Sequence, residues 1–248
     1  MRWAERHPAL RPSSVPRGWC SDGACRDGVG VPEDECVQHE GAIPSHSSTT
    51  RPPHAGCAAV VLAAGEARRF GSQKLVMPFG DATVIGSVVA ALQEAGVAPI
   101  VVVTGPDDEV LAALRGTTVC TVRNPDPARG MLSSIQIGVS ALPGDVARFL
   151  IALGDQPRLR PADLVKLLLA HQEGGKGTAL PLVGGKRGHP VVFAGRYRDV
   201  ILSLAGAQTL RDLIHSHRAD CLEVECDSDA FVRDIDTREQ YQDELRRL

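Results

Sequence analysis

The most informative stretch of the sequence is VVLAAGEARRFGSQK, which runs from Val60 to Lys74. It begins as an apolar, β-branched run and continues into a loop of small and basic residues. Small residues at a strand end let backbone N–H groups approach a phosphate closely, and Gly65 and Gly71 permit the turns that this requires. Arg69 and Lys74 add a guanidinium and an ammonium that can neutralise phosphate charge. The stretch is typical of a strand that opens into a triphosphate-binding loop, with a solvated basic loop as the alternative.

The glycine pattern excludes two common nucleotide-binding motifs. No glycine precedes a Lys-Ser or Lys-Thr pair at the P-loop distance, and no G-x-G-x-x-G follows a predicted strand. The commonest NTPase and dehydrogenase interpretations therefore do not apply.

Strand and helix patterns alternate from residue 57 onward. Apolar runs without inside–outside alternation predict buried parallel strands, and these are CAAVVL, PIVVV, TTVCTV and RFLIAL. Helical spacing of apolar residues marks TVIGSVVAALQEAG, DDEVLAALRG, MLSSIQIGVSAL and PADLVKLLLAHQ. This alternation predicts an α/β fold, a Rossmann-like, doubly wound and mostly parallel sheet whose ligands lie at the carboxyl ends of the strands.

The second half of this region continues the pattern more loosely. TALPLV, HPVVF and CLEVEC are predicted strands, and RYRDVILSL, TLRDLIHSH and TREQYQDELRRL are predicted helices. We expect these elements to extend the sheet and to wall a substrate pocket.

The first 56 residues are predicted to be a disordered N-terminal tail, which leaves residues 57–248 as the folded domain. The tail is rich in Pro, Ser and charged residues and shows no lasting periodicity. It could supply four tetrahedral ligands to zinc, although their spacing is not a standard one and no apolar residues nearby would build a small core. A dispensable extension, or a start codon assigned too far upstream, is the favoured interpretation. The possible ligands are Cys20, Cys25, Cys36 and His39.

Composition argues for small-molecule chemistry. The formal charge is −3 with acidic and basic residues interspersed, so neither a nucleic acid nor a membrane partner is expected. No apolar run is long enough to cross a bilayer and no secretory signal is visible, which predicts a cytoplasmic protein. Seven cysteines form an odd set, and a disulfide framework is not expected in a reducing compartment.

An acidic residue follows the predicted strand RFLIAL. Asp155 lies in the Gly-Asp-Gln-Pro motif at 154–157, where a carboxylate could hold the Mg²⁺ that bridges phosphate oxygens. A turn that caps the next helix is the structural alternative.

A second acidic motif lies near the C-terminus. In the Arg-Asp-Ile-Asp-Thr motif at 233–237, alternation puts Asp234 and Asp236 on one face of an extended segment, and Asp236 could complete the metal site. Thr237 followed by Gln240 also predicts a helix N-cap, so a structural role for this corner is the alternative.

Together these motifs resemble the molybdenum cofactor cytidylyltransferases within the MobA-like NTP transferase family. The resemblance covers roughly Ala58 to the C-terminus and rests on the order and spacing of several motifs. After LAAG-x3-R-x-G-x2-K come Asn124, Gly130 with Met131, Ser133 with Ser134, and the motifs at 154–157, 188–190, 211–213 and 234–237.

The resemblance implies a domain of the nucleotide-diphospho transferase type that joins CMP from CTP to the terminal phosphate of molybdenum-carrying molybdopterin and releases pyrophosphate. It implies Arg69, Lys74 and Asp155 as catalytic residues, and Mg²⁺ held by Asp155 and Asp236. Acceptor contacts would come from Gly188, His189 and Pro190. The nucleotide-binding residues would be Leu62, Ala63, Ala64, Gly65, Arg69, Gly71, Lys74, Asn124, Ser133 and Ser134.

Three positions refine this resemblance. The guanylyltransferase branch resembles LAGG, so Ala64 favours cytidine. Ala67 stands where a Ser or Thr is usual, and 204–211 follows the family's Gly-Asp-x-Gly-Ala-Arg only in part, which puts the acceptor identity in doubt.

The implied reaction needs no protein nucleophile, because the acceptor's own phosphate oxygen can attack the α-phosphorus in line. A molybdenum hydroxylase is one candidate recipient of the product, although the sequence does not identify the recipient enzyme. Two alternatives are nucleotide transfer to another phosphorylated acceptor, such as a sugar phosphate, and an inactive cofactor carrier for molybdenum hydroxylases.

Overall fold

The computed structural model describes residues 56–65 and 73–248. The proposed tail, apart from Gly56, lies outside the described residues together with its possible zinc ligands. Arg69 and Gly71 of the predicted phosphate loop also lie outside them.

Ten strands and seven helices make up the part of the chain that the structure describes. The strands are β1 (Cys57–Ala63), β2 (Pro78–Phe79), β3 (Ala82–Thr83), β4 (Ile100–Thr104), β5 (Cys120–Arg123), β6 (Arg148–Leu153), β7 (Thr178–Val183), β8 (Lys186–Arg187), β9 (Val191–Ala194) and β10 (Cys221–Glu225). The helices are α1 (Val84–Glu94), α2 (Glu109–Ala113), α3 (Met131–Ser140), α4 (Pro161–Gly174), α5 (Tyr197–Ser203), α6 (Leu210–Ser216) and α7 (Arg238–Leu245). Every predicted strand and helix is present, and the short strands β2, β3 and β8 are additions.

The main sheet has the order β10-β7-β9-β6-β1-β4-β5, with β8 paired to β7. Its centre is parallel, since β1 pairs in parallel with both β4 and β6. The chain first builds outward from β1 through β4 to β5 and then crosses to β6 on the other side. The strand order therefore reverses beside β1, and in open α/β sheets ligands bind at such a switch point, beyond the carboxyl ends of the strands.

Strand β9 runs against its neighbours. It lies between β6 and β7 and is antiparallel to both. The sheet is therefore mixed and mostly parallel, as predicted.

The core is divided by the sheet into two apolar layers. Alternate residues of β1 point to opposite faces, with Val61 in the layer that contains α1 and α4 and Val60 in the layer that contains α3. Helix α3 packs tightly against the sheet at Gly138, where an added Cβ would come within 2.3 Å of Val60 Cγ1.

Among the described residues, no helix combines the length and the apolar character needed to cross a membrane.

Candidate active site

The centre of the site is an ammonium held between two carboxylates. Lys74 Nζ donates to Asp155 Oδ2 at 2.7 Å and to Asp236 Oδ1 at 3.0 Å. The Lys74 and Asp155 side chains are only 14% and 18% exposed, whereas that of Asp236 is 45% exposed. The three residues come from distant parts of the chain, so the fold brings together the cation of the first motif and the carboxylates of the two acidic motifs.

A third carboxylate completes the cluster. Asp155, Asp234 and Asp236 each offer an oxygen that lies within 4.8 Å of the others. Asp155 Oδ1 is buried and has no hydrogen-bond partner within the described structure. Oxygen-rich sites suit Mg²⁺, and a buried acceptor without a donor is what a bound cation would satisfy. The residues present therefore fit a divalent metal ion.

Burial and charge shift both groups of the central ion pair. Burial raises the pKa of Asp155, and the neighbouring Lys74 ammonium offsets this only in part. For Lys74, burial acts to lower the pKa, but the attraction of Asp155 and Asp236 outweighs it and the pKa is raised. The pKa values of Asp155 and Lys74 can both be raised, because Asp155 also faces the negative charges of Asp234 and Asp236. The three carboxylates of this cluster face only one ammonium, so negative charge is in excess there.

Backbone contacts hold the acidic motifs at the end of the sheet. Gly154 N donates to Leu62 O at 3.0 Å, which joins the end of β6 to the end of β1. Ile235 N donates to Asp155 O at 3.1 Å and places the C-terminal acidic segment directly on the first motif. An added Cβ at Gly154 would lie 2.9 Å from both Leu62 O and Ile85 Cδ1, so the close contact requires glycine there.

The carbonyl of Phe231 joins the acceptor motif to the same corner. Phe231 O accepts from His189 N at 2.8 Å and from the buried side chain of Gln156 through Nε2 at 3.2 Å. Gly188 packs against this carbonyl, while Pro190 is buried. The predicted acceptor residues therefore lie beside the carboxylate cluster.

The His189 imidazole is electrostatically close to the cluster. Burial lowers its pKa, and the negative charge of Asp234 opposes that change. A lowered pKa favours the neutral ring at pH 7.

The helix that follows the last acidic motif fixes its backbone. Thr237 caps α7 in a capping box with Gln240, as predicted. Gln240 Oε1 also accepts from Asp236 N at 2.6 Å and Thr237 N at 2.8 Å. The buried Glu244 of α7 accepts from Arg233 Nε at 2.6 Å. The functional and structural interpretations of this corner are thus compatible, because the cap positions Asp236.

The structure brings Asn124, Ser133 and Ser134 together as a buried polar cluster. Asn124 Nδ2 donates to Ser133 Oγ at 3.0 Å and to Ser134 Oγ at 2.9 Å. Asn124 N donates to Thr104 O at 2.8 Å, so the cluster ties the end of β4 to the first turn of α3. These contacts shape the loop before α3; the nucleotide contacts assigned to the three residues stay a prediction.

The described part of the predicted phosphate loop lies at the end of β1. Ala63 and Ala64 are buried, Leu62 is half-buried and Gly65 is exposed. Lys74 returns to the same corner in a short 3-10 helix, Lys74–Val76. The loop therefore begins and ends at the switch point of the sheet.

Two features were missed by sequence reasoning. Asp234 was seen only as the partner of Asp236 in an alternating pair, and that alternation was the signal for its place in the cluster. The hydrogen bonds to Phe231 O could not be predicted from the sequence, because the acceptor is a backbone carbonyl.

Comparison with known proteins agrees with this geometry. The model of the MobA-like NTP transferase domain matches residues 59–221. Nicotine blue oxidoreductase of Paenarthrobacter nicotinovorans is 27% identical over 197 residues, which cover 73% of this chain and 92% of that protein. The molybdenum cofactor cytidylyltransferase of Escherichia coli K12 is 25% identical over 185 residues, with the same coverage of 73% and 92%.

A solved structure has a similar fold over about three quarters of this chain. Rv0371c of Mycobacterium tuberculosis H37Rv is 27% identical, with a TM-score of 0.66 over 77% of this chain and 98% of that chain. The complex of Rv0371c with manganese aligns with a TM-score of 0.64 at 24% identity, over 77% of this chain and 99% of that chain.

Proposed function

The chain belongs to the MobA-like NTP transferase family, and on that premise we propose that it moves CMP from CTP to the terminal phosphate of molybdenum-carrying molybdopterin. Pyrophosphate is the second product. The observation that carries the proposal is the Lys74 ammonium bridging Asp155 and Asp236 at the carboxyl end of the sheet. Charge on a departing pyrophosphate is neutralised by such a group.

Two observations support cytidine and molybdopterin as substrates. Ala64 stands at the loop position where the guanylyltransferases resemble LAGG. A relative of comparable length is named a molybdenum cofactor cytidylyltransferase.

In the proposed reaction an oxygen of the acceptor's phosphate forms a bond to the α-phosphorus of CTP. The bond from that phosphorus to the bridging oxygen of the β-phosphate breaks, and the electron pair leaves with pyrophosphate. Lys74 and Arg69 neutralise the phosphate oxygens, so catalysis consists of positioning and charge stabilisation without a covalent enzyme intermediate.

Mg²⁺ is the proposed metal, with Asp155 and Asp236 as its ligands and Asp234 beside them. When bound, it would neutralise negative charge on the phosphate oxygens in the transition state. The neighbouring structure with manganese supports a divalent ion in this fold.

The acceptor is proposed to bind at Gly188, His189 and Pro190. His189 N donates to the Phe231 carbonyl, which also accepts from Gln156, the residue after Asp155. A phosphate oxygen bound on this side would face the carboxylate cluster and any metal held there.

A redox reaction is the second candidate function, because the relative named nicotine blue oxidoreductase matches over nearly its full length. Transfer to another phosphorylated acceptor, such as a sugar phosphate, would use the same nucleotide site. An inactive cofactor carrier would bind the same ligands without turnover.

The decisive assay incubates the purified protein and Mg²⁺ with each of the four NTPs, and with molybdenum-carrying molybdopterin, a sugar phosphate or no acceptor; a parallel sample receives NADH or NADPH and a dye. Pyrophosphate released only with CTP and this acceptor supports the proposal. Release only with a sugar phosphate supports the other acceptor class, and ligand binding without release supports the carrier. Electron transfer from NADH or NADPH to a dye, with no pyrophosphate, supports the redox candidate.

Matched variants test the site itself. We expect Asp155→Asn to lower the rate of pyrophosphate release by about 100-fold or more, because it removes a charged ligand from the site. Asp220→Asn is the control, since Asp220 also accepts from cations and backbone but directly precedes β10, at the amino ends of the strands, where it pairs with Arg196 at 2.9 Å. Equal rates in both variants and the wild type would exclude the assignment.

A further inference from the structure

The ammonium of Lys74 occupies the carboxylate oxygens that a metal ion would use. Lys74 Nζ is 2.7 Å from Asp155 Oδ2 and 3.0 Å from Asp236 Oδ1. The oxygens of the three aspartates lie within 4.8 Å of one another, so a cation held by them would also lie within a few ångströms of the ammonium. Two neighbouring cations repel strongly in a site where Lys74 is only 14% exposed.

If a metal ion displaces the Lys74 ammonium from the carboxylates, that ammonium needs another anionic partner. A buried ammonium without an anion is costly, and Lys74 has no other anionic partner among the described residues. A triphosphate supplies that anion. Lys74 is the last residue of the predicted phosphate loop, so the same side chain can exchange a carboxylate for a phosphate oxygen.

The geometry points to Lys74 as an internal counter-ion that a divalent metal must displace, so that metal and triphosphate bind together more tightly than either does alone. This inference rests on the proposed function for the identity of the site. It assigns Lys74 two successive partners, the aspartates in the free protein and the phosphates in the complex. By linkage, metal and nucleotide raise each other's affinity by the same factor.

Metal binding without nucleotide tests the exchange. The probe is Mn²⁺ alone, titrated into the full chain, with free Mn²⁺ measured by electron paramagnetic resonance. Lys74→Met removes the charge at similar length, and we expect about tenfold or greater tightening of Mn²⁺ binding. Lys74→Arg keeps the charge and should bind Mn²⁺ no more tightly than the wild type.

Two controls locate the effect. Lys176→Met removes a lysine just before β7, at the amino ends of the strands, where its Nζ donates to Ala219 O at 2.7 Å, and should leave Mn²⁺ affinity unchanged. The double variant Lys74→Met/Asp155→Asn should lose the gain, because the ion binds at the cluster. Equal or weaker Mn²⁺ binding by Lys74→Met, or a gain that survives in the double variant, overturns the inference.

The coupling to nucleotide gives a second measurement. Equilibrium dialysis of CTP, with and without Mn²⁺, should show a larger metal-dependent increase in affinity for the wild type than for Lys74→Met. An equal increase in both proteins would contradict the exchange of partners.

Pyrophosphate release by the wild type tests the proposed function separately. Release together with unchanged Mn²⁺ affinity in Lys74→Met leaves that function standing and overturns the exchange. Tighter Mn²⁺ binding in this variant without any pyrophosphate release by the wild type supports the exchange and excludes the proposed function.

Discussion

Gly188 lies where the acceptor motif meets the acidic segment, and it has no room for a methyl group. An added Cβ would come within 2.2 Å of Phe231 O and 3.0 Å of Val232 Cγ1. We expect Gly188→Ala to lower the free energy of unfolding by about 1–3 kcal/mol, because backbone must move to relieve the overlap. The displaced segment carries Asp234 and Asp236, so pyrophosphate release should fall as well. Chemical denaturation and the rate assay measure the two effects.

The control for this substitution is Gly144→Ala, where an added Cβ meets nothing within 4 Å. Its free energy of unfolding should change by no more than about 0.5 kcal/mol. The same loss of stability in both variants, or a normal rate in Gly188→Ala, would contradict the role of this contact.

At the scale of residues, the sequence predicted which charged residues form the site, but not which groups they contact. Lys74, Asp155 and Asp236 were each predicted from a motif, but pairing of the lysine with the aspartates depends on a chain path across the whole fold. The contacts of Gln156 and His189 with Phe231 O were not predictable, because any residue supplies a backbone carbonyl. The assigned roles of these residues stay predictions.

At the scale of elements, two capping boxes offer a matched comparison. Thr237 caps α7 beside Asp236, and Thr209 caps α6 in the same way with Asp212. Either Thr→Ala substitution should cost about 1 kcal/mol in the free energy of unfolding. Only Thr237→Ala should weaken Mn²⁺ binding, by about tenfold, because its capping box orients a metal ligand. Equal Mn²⁺ affinity in the two variants would show that the cap is purely structural.

Helix α4 carries a buried histidine that predicts acid sensitivity. His171 is 6% exposed. Burial lowers its pKa from the ordinary 6.5, the backbone of Gly177 opposes this change, and Arg148 and Arg196 add smaller lowering effects. Asp220 pairs with Arg196 and so limits the influence of that cation. As pH falls below 6.5 the unfolded chain takes up the proton first, so this contribution to stability is present above that pH and lost below it.

The melting temperature should therefore fall between about pH 7.5 and pH 5.5, and it should fall less in His171→Leu, which cannot be protonated. Differential scanning calorimetry of both proteins across this range makes the comparison. A variant whose melting temperature depends on pH as strongly as that of the wild type would exclude His171 as the cause.

Element types and order followed from periodicity, whereas some orientations did not. The parallel centre of the sheet was predicted from its continuous apolar strands. The direction of β9 was not predicted, because an antiparallel central strand has the same apolar pattern as a parallel one when both faces are buried. The hairpin of β2 and β3 was missed because two-residue strands carry no measurable period.

At the scale of the whole molecule, the domain boundary remains a prediction. Among the described residues, the two apolar layers of the core draw on elements from β1 to α7. We expect a chain of residues 57–248 to keep the melting temperature and the rate of pyrophosphate release of the full chain. Loss of either property would assign a structural or catalytic role to the first 56 residues.

The position of a label in the nucleotide distinguishes nucleotidyl transfer from its alternatives. The protein is incubated with Mg²⁺, molybdenum-carrying molybdopterin and CTP labelled with ³²P at either the α- or the γ-phosphate, and the products are separated. Nucleotidyl transfer predicts that the α-label moves to the acceptor and the γ-label leaves in pyrophosphate, and that Asp155→Asn lowers both by the same factor. A γ-label found in orthophosphate or on the acceptor, or an α-label that stays in CTP, would contradict CMP transfer to molybdopterin at the Lys74–Asp155–Asp236 site.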